Sequence, residues 1–380
     1  MKITVAIDSF KGSLTTFEAG EAVKSGIKRV YGDAKVFVLP LADGGEGTGE
    51  AIIRATGART VSVSVSDPLE RKITASYGIT PDNTAIIEMA QASGLTLVEE
   101  KERDPLYTTT RGVGEMINDA IDKGCRRFII GIGGSATNDG GVGMLSALGF
   151  DFCDENGNKI KDGAIGLKEL KTISAEGKRK ELSECEFTVA CDVKNPLCGK
   201  NGCSHIYAPQ KGASPQDIEK MDAWLESYAR LTKDYNTTSD KDFPGSGAAG
   251  GLGFAFMAYL CGVLRSGTEI VTKAVGLEDK IASSDIVITG EGRLDGQSLM
   301  GKAPIGVAQL AKKYNKPVIA FAGSITDDAS KCCEYGIDAF FSVTPSPCTL
   351  EDAMKTENAI KNLANTAEQA FRLLKFVETK

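Results

Sequence analysis

The sequence predicts an α/β protein in which both chain ends build a Rossmann-like parallel-sheet domain and a second α/β domain is inserted between them. Three observations carry this. Short apolar runs alternate with amphipathic helical periods at both ends of the chain. The stretch after residue 60 switches to strands with one wet face. The length of 380 residues exceeds one ordinary domain and suits two.

Residues 3–7 form the first buried strand. Thr15 and Glu18 make a capping-box pair, hydroxyl and carboxylate each satisfying a free amide at a helix start. Ala19, Ala22, Val23, Ile27 and Val30 then follow the helical period, and Gly32 stops it. Residues 36–39 give a second buried strand, and 50–55 start a second helix. Val61, Val63 and Val65 alternate with Ser62 and Ser64, and strands over 72–79 and 84–89 follow closely, which reads as antiparallel sheet. Residues 127–131 are a strand leading into a glycine-rich turn, and 187–190 another apolar run. Buried βα units return with strands over 285–289, 318–322 and 339–343. Their helices span 304–314 and 328–335, and 351–376 close the chain. The expected domains are 1–65 with 280–380, and 66–279.

Composition bounds the chemistry. The net charge of −7 argues against a nucleic-acid or anionic-membrane surface. The longest apolar run, 251–264, is too short to span a bilayer and reads as a buried helix. Ten cysteines without a secretory pattern at the start of the sequence point to reduced thiols and a cytoplasmic protein. The one histidine, His205, excludes His-rich zinc sites and His pairs in acid–base work, and reads as structural. Oligomeric state is not readable, and a homodimer stays open.

Glycine is in excess, at 43 residues. Segments 44–49, 131–143, 245–253 and 290–306 hold four, six, five and five of them, so the excess sits in four loops. Such loops let backbone amides approach an anion. No P-loop pattern is present. Gly131-x-Gly133-x-x-Ala136 follows a strand, with Asp151 twenty residues on, and would fit an NAD-dependent oxidoreductase. Residues 137–141 interrupt the helix that such a site needs.

Taken together, the motifs carry a resemblance. Asp8-Ser9-Phe10-Lys11-Gly12-Ser13 follows the first strand, and Pro40 through Thr48, with Asp43-Gly44-Gly45-Glu46, the second. Gly133-Gly134-Ser135-Ala136-Thr137-Asn138-Asp139 lies in the middle. Cys191-Asp192-Val193, Pro209-Gln210-Lys211-Gly212-Ala213, Gly247 through Gly253, Thr289 through Asp295 and Gly301-Lys302 complete the set. This resembles the bacterial glycerate kinase family of the two-domain, non-P-loop type, over essentially the whole chain. The resemblance implies ATP-dependent phosphorylation of glycerate with Mg²⁺, and an active site in the cleft between two α/β domains. The family is linked chiefly to the 2-phospho product.

Phosphoryl transfer needs cations and amides around phosphates, carboxylates for Mg²⁺ and a group to take the hydroxyl proton. Asp8, Ser9 and Lys11 occupy the carboxyl edge of the first strand, where open α/β sheets bind ligands. Lys11 suits a phosphate or the glycerate carboxylate. Asp43, Gly44, Gly45 and Glu46 occupy the same edge after the second strand. They complete the expected glycerate site, though Glu46 could merely open a helix. Gly133, Gly134, Ser135 and Thr137 are the phosphate cradle, with Asn138 and Asp139 to orient it or reach Mg²⁺ and Lys302 as a second phosphate group. Asp192 ends a strand, as a cap-like turn residue or as base or metal ligand. Glu291, Arg293 and Asp295 combine metal and anion chemistry, or form a solvated ion pair. The expected catalytic residues are Asp192, Asp43, Lys11 and Arg293, and the expected metal ligands Asp192, Glu291 and Asp295.

Overall fold

The computed structural model describes residues 1–41, 48–295 and 303–378. Asp43, Gly44, Gly45, Glu46 and Lys302 therefore lie outside the described residues. In chain order the strands are β1 (Lys2–Ile7), β2 (Lys35–Pro40), β3 (Arg59–Ser66), β4 (Lys72–Ile79), β5 (Thr84–Glu88), β6 (Arg127–Gly131) and β7 (Asp151–Cys153). They continue with β8 (Thr172–Ser174), β9 (Glu186–Ala190), β10 (Val263–Arg265), β11 (Ile286–Leu294), β12 (Val318–Ile325) and β13 (Ala339–Ser342). The chain divides into two compact units, Met1–Asp43 with Val271–Lys380, and Gly44–Ile270.

The first unit is built by both chain ends, as expected. Its sheet runs β13-β12-β11-β1-β2, parallel throughout. Strand β1 lies between β2 and β11, pairing Val5 with Val38 on one side and Ile288 on the other. The chain leaves β1 toward one edge and later fills the other edge from β11. The right-handed crossover rule then assigns the two sets of helices to opposite faces. Helix Thr16–Val30 packs against the closing helix Thr356–Glu378, and helix Ala303–Lys313 lies over β1 and β11. The Thr15–Glu18 capping box is formed, with Glu18 N donating to Thr15 Oγ1 at 3.2 Å and Thr15 N to Glu18 Oε2 at 2.8 Å. Ile3, Val5, Ile7, Val23, Ile27, Phe321, Leu363 and Phe371 form the core.

Two elements here differ from expectation. Strand β11 continues to Leu294 instead of stopping near 289, pairing Glu291 with Ala322 and Arg293 with Ser324 of β12. Glu291 and Arg293 therefore lie on a strand, not in the loop after it. The closing helix is also preceded by a separate turn, Leu350–Met354.

The second unit holds a six-stranded sheet, β10-β9-β6-β5-β4-β3. Strands β10, β9, β6 and β5 are parallel, whereas β3, β4 and β5 run antiparallel. The wet-faced segment is thus antiparallel as read, but it is joined to a parallel half through β5. Phe128, Ile130, Phe152, Tyr228, Phe254 and Phe256 are among its core residues. The apolar run near 251–264 is helix Ala248–Leu260, almost wholly buried, and no described helix is long and apolar enough to cross a membrane.

The units part at 43/44 and 270/271, against the expected 65/66 and 279/280. Strand β3 decides the first boundary. It pairs with β4 along its whole length, from Arg59↔Ile79 to Ser66↔Lys72, and helix Thr48–Thr56 packs on β5 and β6. Helix Leu277–Ala282 decides the second, since it packs against β1.

Candidate active site

In the first unit the strand order reverses between β1 and β11, which is where open parallel sheets bind ligands at their carboxyl ends. The chain after β1 turns sharply there. Asp8 N donates to Gly290 O at 2.9 Å, Ser9 N donates to Asp8 Oδ1 at 2.7 Å, and Phe10 folds back on Leu14. Asp8 and Ser9 are half-buried and Lys11 is exposed. From β11 come Glu291, buried on the same edge, and Arg293, whose guanidinium pairs with Asp295 at 3.3 Å. The sheet thus brings Asp8, Ser9 and Glu291 to one edge. Asp295 thus meets a cation within its own segment.

Thr16 was not singled out from the sequence. Its hydroxyl donates to Ile7 O at the end of β1 and accepts from Leu41 N after β2 at 3.1 Å. It ties the end of β1 to Leu41, just after β2.

In the second unit the parallel strands β5, β6, β9 and β10 end on a common edge. Residues 132–141 follow β6, and a dense set of bonds fixes them. Ala136 N donates to Ser93 O at 2.9 Å, Thr108 Oγ1 to Ala136 O at 2.8 Å, and Leu95 N to Gly134 O at 2.8 Å. The amides of Gly133, Gly134 and Ser135 enter none of these bonds. Gly134, exposed, takes the left-handed φ of +73° that this turn requires. Thr137 is fully buried, and its hydroxyl has no partner among the described residues.

Asp139 is a brace for this loop. Its carboxylate accepts from Thr110 N at 2.9 Å, Thr110 Oγ1 at 2.8 Å, Gly141 N at 3.0 Å and Gly143 N at 3.2 Å. Burial pushes its pKa up against these four bonds, which favour the ionised form. The bonds tie the loop to Thr110 and to the start of helix Val142–Ala147. The glycine-rich segment 247–251 is a second brace. Gly250 has φ +67°, and a Cβ there would run into the Thr137 carbonyl oxygen, while Gly250 O accepts from Gly140 N at 2.9 Å. The glycines of this segment serve close backbone packing under the loop, not a ligand.

Two further residues had no role assigned from the sequence: Lys211, quoted within a motif, and Glu88. Lys211 is 2% exposed and donates to Ser135 Oγ at 2.7 Å and to Thr137 O at 2.6 Å. Burial lowers its pKa to about 8. Glu88 ends β5, accepts from Gly49 N at the start of helix Thr48–Thr56, and packs against Gly131. The signal for Glu88 was present: it follows an apolar run, as Asp192 does. Asp192 is exposed after β9, and both its oxygens accept from Gly267 N at 3.2 Å, the cap-like arrangement. His205 pairs with Glu219 and Asp222 and stays structural.

The expected metal ligands are divided, with Asp192 in one unit and Glu291 and Asp295 in the other. Among the described residues, no three His, Cys, Asp or Glu side chains gather to hold an ion. Their all-oxygen chemistry still fits Mg²⁺, which needs only one or two carboxylates when phosphate oxygens and waters complete its shell.

Fold and site define an α/β enzyme with charged groups at a sheet switch point and a braced, amide-rich loop. They do not define a dinucleotide site. The helix after β6 starts only at Val142, and its N-terminus is spent on Asp139.

The sequence profile of the glycerate kinase family matches residues 3–375. The glycerate 2-kinase of Escherichia coli K12 is 52% identical over 356 residues, 93% of each chain. The glycerate kinase of Bacillus subtilis 168 is 45% identical over 380 residues, covering 100% of this chain and 99% of its own. A crystal structure from Salmonella typhimurium LT2, described as a candidate glycerate kinase 2, superposes with a TM-score of 0.89 at 49% identity, covering both chains in full. The chain belongs to the glycerate kinase family and is a kinase. That membership sets aside the NAD-dependent oxidoreductase reading of the 131–136 segment.

Proposed function

We propose that the protein transfers the terminal phosphoryl group of ATP to a hydroxyl of D-glycerate, giving 2-phosphoglycerate, with Mg²⁺. The observation that carries this reading is family membership over nearly the whole chain. The name of the Escherichia coli relative, a glycerate 2-kinase, supports the 2-phospho product.

Gly133, Gly134, Ser135 and Thr137 hold the ATP phosphates through amides and hydroxyls, aided by Lys302. Among the described residues the amides of Gly133, Gly134 and Ser135 donate to no backbone carbonyl, which supports this role. Asp8, Ser9, Lys11, Asp43, Gly44, Gly45 and Glu46 hold and orient glycerate. Lys11 and Arg293 set positive charge against the substrate carboxylate and the phosphoryl oxygens. A carboxylate, Asp43 or Asp192, accepts the proton of the attacking hydroxyl. Bound Mg²⁺ would neutralise phosphate charge, held by Asp192, Glu291 or Asp295 together with phosphate oxygens. We further propose a cytoplasmic location, supported by ten cysteines that are all free thiols.

A coupled ADP-release assay with D-glycerate and Mg²⁺ tests the reading. Saturable release is expected, and none with any Mg²⁺ concentration would overturn it. Feeding the product to enolase, which consumes only the 2-phospho isomer, tests the regiochemistry.

A further inference from the structure

The loop after β6 lacks the usual source of positive potential for binding phosphate. In many phosphate sites a helix N-terminus supplies it. Here the helix begins beyond the loop, and Asp139 occupies its N-terminus. Another group must offset the charge of an anion laid on Gly133 to Ser135.

We propose that Lys211 is that group: a buried positioning residue beneath the Gly133–Thr137 loop, which sets the Ser135 hydroxyl as a donor and supplies positive charge to bound ATP phosphates. The proposal rests on reading this loop as the phosphate cradle. Three observations carry it. Lys211 lies at the end of the short turn Pro209–Lys211 and buries its ammonium against Ser135 Oγ and Thr137 O. A serine oxygen that accepts from an ammonium keeps its own proton to donate. Thr137 Oγ1, on the same turn and wholly buried, is unpartnered among the described residues. Leaving a cation and a hydroxyl incompletely satisfied is costly in a folded interior and is characteristic of binding sites.

The surroundings keep the charge on Lys211 near neutral pH without cancelling it. Asp139 and Cys203 are the groups that act on it. The Asp139 carboxylate is held by four donors of its own. The Cys203 thiol is pushed up to about 12 by burial and is neutral. His205, on the adjoining helix, faces Glu219 and Asp222 instead. Arg103 approaches Gly212 through its backbone carbonyl. Burial sets the ammonium titrating at about 8, so it is charged below that pH and neutral above it.

The test is equilibrium binding of ATP–Mg²⁺ by calorimetry, at pH 7 and pH 9, to the wild type and to Lys211→Met and Gly134→Ala. Methionine keeps the length of the side chain and drops the charge. Wild-type affinity is expected to fall from pH 7 to pH 9 as the ammonium loses its proton. Lys211→Met is expected to bind about tenfold more weakly at pH 7 and to lose the pH dependence. Gly134→Ala, strained at positive φ, reports on the cradle itself and should weaken binding as well. Wild-type affinity in Lys211→Met with loss in Gly134→Ala would overturn the role of Lys211 alone. Unchanged binding in both would overturn the cradle reading. If Lys211→Met does not fold by circular dichroism, Ser135→Ala decides, since it removes the donor that Lys211 sets; wild-type affinity in that variant overturns the proposal.

Discussion

The two units prepare their ligand edges in opposite ways. At the β1/β11 edge several charged groups reach solvent: Lys11 is exposed, Asp8 is half-buried, and an exposed Arg293 pairs with Asp295. At the β6 edge the loop is set from below by Asp139, Thr108, Thr110, Lys211 and the Gly250 backbone, nearly all buried. Exposed charges are adjustable and individually weak in water. Buried polar networks are rigid and fail together. The comparison teaches that one edge keeps adjustable charges in solvent. The other is built to hold one backbone shape.

This contrast can be broken from its strongest side first. Asp139→Ala removes one acceptor from four buried donors and should destabilise the protein by about 4 kcal/mol, read as a lower midpoint in urea unfolding. A midpoint within experimental scatter of wild type would mean the β6 loop is not braced as described. Asp192→Asn comes next. Asparagine caps a helix about as well as aspartate, so the bond from Gly267 N survives while the charge is lost. Turnover should drop about 10²–10³-fold with the melting curve unchanged. Near-normal turnover would leave Asp192 a cap and nothing more. Lys11→Ala should raise the KM for glycerate or ATP about tenfold, the loss of one charge-assisted contact, with no change in stability. Unchanged constants for both substrates would remove it from the site. Thr16→Val gives the smallest effect. It severs the link between Ile7 O and Leu41 N, for about 1 kcal/mol of stability and a few-fold change in KM for glycerate, with kcat held. An equal loss in kcat would show that Thr16 does more than hold the turn.

Much of the fold was legible because its strands are apolar runs and its first helix carries a complete cap. What escaped has physical reasons. The extension of β11 through Gly290 to Leu294 has no strand-like composition; pairing with Ala322 and Ser324 of β12 creates it. The first unit boundary escaped because β3 is a good strand in either unit, and only its partner β4 decides. For the site, spacing pointed to loops but not to roles. Lys211 stands in a motif but gets no role from spacing, since its partners Ser135 and Thr137 lie more than seventy residues away. Asp139 and the 247–251 glycines read like ligand groups, and burial makes them braces. The segments carrying Asp43, Glu46 and Lys302 remain sequence-based assignments.

The central position of β1 has a consequence for how the chain is made. Val5 pairs with Ile288, so one flank of this strand waits for residues nearly three hundred positions later. At about 5–20 residues per second of synthesis, β1 leaves the ribosome roughly 15–60 s before that neighbour exists. The Gly44–Ile270 unit holds its own six-stranded sheet and core, and so can be complete while β1 and β2 are still an open apolar edge. The nascent chain therefore carries its aggregation hazard at its leading end, and chaperones would find their target in the first forty residues.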